Sequence, residues 1–214
     1  MAVTAVAEAA VSDRRDLELI ARLVPPGSRV LDLGCGTGEM LAYLRDTRGC
    51  TGYGIEIDDA NVHACVQRGV NVVQLNLEEG LALFDDRSFD VVLQLETLQH
   101  LRNTERMLRE TARVGRIGIV SFPNFAHWPN RLSVMAGRMP VTKALPYEWY
   151  DTPNIRVGTF ADFEVLAGKI GLTITDSFGI QQGREVRAWP NLRASVAVFR
   201  FEHDGMRRQW ADSR

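Results

Sequence analysis

A short apolar run, Arg29–Leu33, leads straight into Gly34-Cys35-Gly36-Thr37-Gly38, and a helical pattern carrying Met40, Leu41 and Leu44 follows at once. No other part of the chain narrows the fold as much. A strand that ends in closely spaced glycines and opens a helix is one step of a βα unit, because glycine turns sharply there and lets the backbone approach another group closely. The alternation continues downstream. Residues 52–57 are expected as a second strand, 60–68 as a helix begun by Asp58-Asp59 at its positive end, and 70–75 as a third strand. Residues 90–95 are almost purely apolar, as a strand buried on both faces should be. A helix over 103–113 and a strand over 117–122 follow. Upstream, Leu17, Ile20, Leu23 and Val24 set a helix, with Asp13 as its cap and Pro25-Pro26-Gly27 as its stop.

Strands alternating with helices at this spacing predict an α/β fold with a mainly parallel sheet and helices on both faces. One domain is expected over 13–202, with a disordered start over 1–12 and a loose polar tail over 203–214. Residues 123–158 change character. They hold most of the prolines together with Trp128, Tyr147, Trp149 and Tyr150, show no clean period, and are expected as a long loop or lid beside the site. A helix over 160–170 follows. Two β-rich segments, 172–178 and 194–201, are expected as an antiparallel hairpin at the sheet edge.

The bulk numbers exclude more than they assign. With 25 Lys and Arg against 27 Asp and Glu, the formal net charge is -2, which is no electrostatic footprint for nucleic acid or an acidic membrane. No apolar run approaches the roughly 20 residues that span a bilayer. The opening MAVTAVAEAAVSDRR lacks the basic leader and long apolar core of a signal peptide. Cys35, Cys50 and Cys65 show no Cys-x-x-Cys spacing, so they are read as reduced thiols of a cytoplasmic protein and not as a disulfide frame or metal site. The sequence leaves self-association open.

In an open α/β sheet, ligands bind beyond the carboxyl ends of the strands, where strand order reverses. The spacing G-x-G-x-G differs from the dinucleotide pattern G-x-G-x-x-G, and a glycine pattern alone is weak evidence. Asp32 adds more: a carboxylate two residues before the first glycine disfavours a pyrophosphate and suits a ligand with a cationic head. Glu56, at the end of the second strand, can accept two hydrogen bonds from a ribose diol. Asn76, after the third strand, can accept from an adenine amino group. The fourth strand ends at Gln94-Leu95-Glu96, where its backbone can meet the far end of a ligand.

Taken together, DLGCGTG, GIE, an Asn after strand three and FDVVLQLETLQHL resemble the class I S-adenosylmethionine-dependent methyltransferases over residues 29–101. That resemblance implies a Rossmann-like, seven-stranded sheet with an antiparallel last strand. It also implies S-adenosylmethionine or S-adenosylhomocysteine as cofactor. The loop of Gly34, Cys35, Gly36 and Gly38 would hold the methionine part and Glu56 the ribose. Ile57 would pack on adenine, and Asn76 with the Leu77 backbone would read the adenine edge. Asp often stands in this family where Asn76 stands here, so that contact is neutral. A narrower similarity, carried by PNFAHWPNR and WYDTPNIR and running from about Arg15 to Glu202, is to the MetW family of methionine biosynthesis proteins. It implies homoserine O-acyltransferase as a protein partner.

Methyl transfer from a sulfonium is an in-line displacement that often needs a base. The candidates are Glu96 and His100, which share a face if their segment is helical, and His127 after the fifth strand; each has an equally good local structural role. The Asn/Asp-Pro-Pro-Tyr block of many amine methyltransferases is absent after strand four, and no cysteine or histidine cluster suggests a metal. Trp128, Tyr147, Trp149, Tyr150 and Arg131 suit a substrate pocket, a protein interface or plain lid packing. Three functions therefore compete: a cofactor-binding regulatory subunit, a small-molecule methyltransferase, and an NAD-dependent oxidoreductase, against which Asp32 and the glycine spacing argue.

Overall fold

The computed structural model describes residues 14–203. The expectations for 1–12, for the Asp13 cap and for the tail from 204 onward lie outside these residues. The chain runs α1 (Arg14–Ala21), β1 (Arg29–Leu33), α2 (Glu39–Arg48), β2 (Thr51–Glu56), α3 (Asp59–Gln67), β3 (Val72–Gln74), β4 (Phe89–Leu95), α4 (Thr104–Val114) and β5 (Gly115–Pro123). It continues with α5 (Trp128–Met135), α6 (Phe160–Lys169), β6 (Leu172–Gln181), β7 (Arg184–Val186), α7 (Pro190–Arg193) and β8 (Val196–His203). Among the described residues, no helix is long and apolar enough to cross a membrane.

All eight strands form one sheet in the order β3-β2-β1-β4-β5-β8-β6-β7. The first five are mutually parallel. The chain winds outward from β1 to β3, then crosses back to lay β4 on the other side of β1. Strand order therefore reverses between β1 and β4, and their carboxyl ends open a crevice there. β8 is antiparallel to both of its neighbours. Successive residues serve opposite faces, as the pleat requires. Leu31 and Leu33 join the core beneath α4 and α6, whereas Val30 joins the core shared with α1 and α2. Likewise Phe199 and Val198 go to opposite layers.

The sheet departs from expectation in two ways. It has an eighth strand, the three-residue β7, which is too short to show a period. And β8 is not at the edge: it pairs with β6 as expected, but sits inside, between β5 and β6. Its residues explain that, because Val198, Phe199 and Phe201 are wholly buried and an edge strand would leave them half wet. The expected loop over 123–158 also contains α5. Its apolar residues Leu132, Val134 and Met135 point outward and stay exposed, so no core-facing period marks the helix.

One aromatic cluster ties the later strands to α6. The Phe199 ring lies 4.4 Å from Phe163, 4.9 Å from Phe160 and 6.0 Å from Phe122. Replacing it leaves a cavity that fixed backbones on both sides cannot close. Phe199→Ala is expected to cost about 3–5 kcal/mol in equilibrium urea unfolding; a loss below about 1 kcal/mol would show that the layer repacks.

Candidate functional site

The glycine loop is held by backbone contacts to β2. The Gly34 and Cys35 amides both donate to the Ile55 carbonyl, at 2.8 and 3.0 Å, and the Gly38 amide closes the turn on the Cys35 carbonyl at 2.9 Å. Gly34, Gly36 and Gly38 all have positive φ, at 73°, 53° and 75°. Space excludes other residues at two of them. A Cβ on Gly34 would lie 2.7 Å from Thr97 Oγ1, and one on Gly38 would lie 2.9 Å from Cys65 Sγ.

Glu56 locks this loop to the next one. Its Oε2 accepts from the Gly36 amide at 2.9 Å; its Oε1 accepts from the Ile57 and Asp58 amides at 2.7 and 2.9 Å. Asp32 lies beside it, 2% exposed, and its Oδ1 has no hydrogen-bond partner among the described residues. Burial, with the Glu56 charge adding to it, pushes the Asp32 carboxyl up to about 7. Cys35 and Cys65 are free thiols with sulfurs 3.8 Å apart, and burial raises both above the ordinary thiol range.

The crevice holds a cavity of about 490 Å³, within the range of small-molecule sites. Asp32, Gly34, Cys35, Gly36, Glu56, Ile57, Asn76 and Leu77 all border it. Ile57 is an apolar residue that borders the cavity and is 59% exposed. The Asn76 Oδ1 accepts from the Glu78 amide at 3.0 Å, capping a one-turn 3-10 helix, Leu77–Glu79. Gly38 and Gln94 do not border the cavity. Gly38 lies behind the loop as the cap of α2. Gln94 is fully buried and its amide donates to the Thr111 hydroxyl of α4, so its side chain is spent in the core.

The acid and base candidates separate in the same way. Glu96 and His100 border the cavity, and His127 does not. Glu96 follows β4 directly with φ at 51°, its amide donating to the Ser121 carbonyl at 2.9 Å. Burial, with a smaller contribution from the Asp16 charge, pushes its carboxyl up to about 7. The segment after it is a single 3-10 turn, Leu98–His100, so the helical face expected for Glu96 and His100 does not form. His100 Nδ1 lies 3.3 Å from the Pro153 carbonyl. His127 is 6% exposed, precedes α5, and meets Trp128 edge to face; burial lowers its pKa.

Residues from far along the chain complete the wall: Thr97, Gln99, Lys143, Tyr147 and Asn154. Only Tyr147 among the expected aromatic residues borders the cavity, whereas Trp128, Trp149 and Tyr150 point to solvent. No local signal marks Lys143 or Asn154 as site residues, because tertiary folding alone carries their loop across the crevice. A second cavity of about 360 Å³ shares Gln99, Pro123 and Asn154 with the first.

With this geometry in view, similarity to known proteins is informative. The family model described as methionine biosynthesis protein MetW matches residues 14–201. The chain is 37% identical over 203 residues to a bifunctional methionine biosynthesis protein MetXA/MetW of Rhodopirellula baltica, covering 88% of this chain and 33% of that one. It thus spans about a third of that relative's length. Among solved structures it resembles a SAM-dependent methyltransferase from Thermotoga maritima (TM-score 0.64, 20% identity, 88% and 87% of the two chains). It also resembles an S-adenosylmethionine-dependent methyltransferase from Mesorhizobium loti (TM-score 0.65, 16% identity, 88% and 98%). At these identities the structural likeness establishes the fold.

The raised carboxyls make a pH prediction. Between pH 4 and 7 the folded protein keeps protons on Asp32 and Glu96 that the unfolded chain has released, so ligand-free stability falls as pH rises through that window. The melting temperature should therefore decline from pH 5 to pH 8. Asp32→Asn should flatten the decline; an unchanged slope in that variant would remove Asp32 as its source.

Proposed function

The chain belongs to the methionine biosynthesis protein MetW family, and on that premise we propose that it binds S-adenosylmethionine or S-adenosylhomocysteine at the glycine loop and acts as partner and regulatory subunit of homoserine O-acyltransferase. The observation that carries the cofactor reading is Asp32: a buried carboxyl with an unpartnered oxygen, beside three positive-φ glycines, in a cavity of suitable size. Such a group is costly to bury unless a cation or donor meets it. A ligand with sulfonium and ammonium charges supplies both, and the exposed Ile57 offers an apolar surface to an adenine ring. Glu56, already holding three backbone amides, keeps one lone pair, on Oε2, for a ribose hydroxyl, where its place in the sequence suggested two such bonds. The free thiols fit a cytoplasmic setting.

The partner reading rests on the MetXA portion that the Rhodopirellula baltica relative carries in the same chain. S-adenosylmethionine lies downstream of homoserine acylation in methionine synthesis. If it favours one of two states of the complex, its level is linked to acyltransferase output.

A second reading, methyl transfer to a small molecule, is favoured by Glu96. Bound S-adenosylmethionine would supply an activated methyl group. A carboxyl near half-ionised at neutral pH, facing the cavity, is suited to taking an acceptor's proton.

Two measurements test these readings. Gly36→Val puts a branched side chain at a positive φ inside the cavity; isothermal titration should show S-adenosylmethionine affinity falling at least tenfold with the far-UV spectrum unchanged. Unchanged affinity would mean that the loop is not the site. In assays with purified homoserine O-acyltransferase, the rate should respond to S-adenosylmethionine only when this protein is present; a flat titration would end the regulatory reading. Methylated product that Glu96→Gln abolishes would establish the second.

A further inference from the structure

Residues 143–158 cross the mouth of the main cavity as a strap without helix or strand. From its inner side, Lys143, Tyr147, Pro153 and Asn154 wall the main cavity. Asn154, Arg156 and Val157 also border the second cavity. The strap is therefore underlain by two hollows and not by close-packed core. Among the described residues its tethers are few. The Ile155 and Arg156 amides donate to the Gln99 carbonyl, at 2.9 and 3.1 Å; the Arg156 guanidinium donates to the Arg102 carbonyl at 2.6 Å; the Phe125 amide donates to the Gly158 carbonyl at 2.9 Å; and the Pro153 carbonyl lies 3.3 Å from His100 Nδ1. Gln99 and His100 themselves border the main cavity. A ligand there touches the strap and the residues that hold it.

The outer side of the same strap is apolar and bare. Trp149 is 69% exposed and Tyr150 72%, their rings meeting edge to face at 5.6 Å. Ile155 follows at 47%, and Val157, at the rim of the second cavity, at 63%. Single exposed apolar residues need no explanation, but two large aromatics and two β-branched residues within nine positions form a patch of the kind that marks interaction sites. Tyr and Trp dominate the energetics of such sites. The formal charges along the strap balance, with Lys143 and Arg156 against Glu148 and Asp151. The patch thus suits an apolar partner surface and not a charged one.

Resting on the partner reading above, we infer that the strap around Trp149 and Tyr150 is the docking surface for the homoserine O-acyltransferase subunit, and that ligand in the main cavity sets the strap's position and so the strength of docking. The fused relative supports this occupant: one chain carrying both units holds them at high effective concentration, where an apolar patch on one finds the other before any third protein. Reciprocity then applies. Whatever factor the ligand contributes to docking, the docked partner contributes to ligand affinity.

The test is sedimentation of the full chain with purified homoserine O-acyltransferase, with and without S-adenosylmethionine. The wild type should associate, with little dependence on salt. The double variant Trp149→Ser, Tyr150→Ser should weaken association at least tenfold, while titration without the partner shows unchanged S-adenosylmethionine affinity. Leu83→Ser, at a 68% exposed position in a turn outside the strap, should associate as the wild type does. Absence of a wild-type complex would overturn the partner reading itself. A wild-type complex that the double variant retains, or that Leu83→Ser weakens equally, would overturn the strap assignment alone. So would a double variant that shifts only this chain's own mass from dimer to monomer. A complex whose affinity ignores the ligand would overturn the coupling.

Discussion

The carboxylate of Glu56 is the joint on which the site depends. Three amides from two loops converge on its two oxygens, one from the glycine loop after β1 and two from the turn after β2. Charge-assisted bonds to amides are roughly twice as strong as neutral ones, and here they hold a loop whose three glycines would otherwise be its most flexible part. The parallel register of β1 and β2 places Leu33 opposite Ile55, one residue before Glu56. The sheet thus aims the carboxylate, and the carboxylate shapes the cavity.

That arrangement has an electrostatic cost. Asp32 is buried next to Glu56, and none of the described residues satisfies its Oδ1. The ligand-free site is therefore poised for positive charge, and protonation is its only other relief. Glu96, across the crevice at the end of β4, is held up to about 7 mainly by burial as well. Two carboxyls near neutrality on facing strand ends are what the switch point offers for chemistry or for sensing. His127, the third candidate, is buried outside the cavity.

Crossing the crevice, the strap joins this interior to the surface. Its inner residues and its outer aromatics belong to one short stretch of backbone held at a few points, so events in the cavity and on the surface share one mechanical element. The close-packed layers around Phe199 and Leu31 supply the rigid frame against which such a strap can move.

The βα alternation, the strand β1, the glycine loop and the carboxylates Asp32 and Glu56 at its strand ends were legible along the chain, because they depend on local periodicity and on turn chemistry that only glycine satisfies. The boundaries of β1 needed no correction, and the helix around Met40, Leu41 and Leu44 buries those three residues. Position within the sheet was not legible. β8 lies inside because Val198, Phe199 and Phe201 need cover on both faces, and no local pattern states which neighbours provide it. The helix α5 escaped notice because its apolar side faces outward. The pleat turns the Gln94 side chain into the core, onto Thr111, and leaves only its backbone for the role that its place at a strand end suggested. Lys143, Tyr147 and Asn154 met the glycine loop only through a crossing of more than a hundred residues of chain. The sequence by itself determined the fold class, the loop and its carboxylates, and pointed to 123–158 as the stretch beside the site, since these are local; the tertiary structure alone decided which strand is interior, which candidates share the cavity and which residues of that stretch wall it, since these depend on contacts between distant segments.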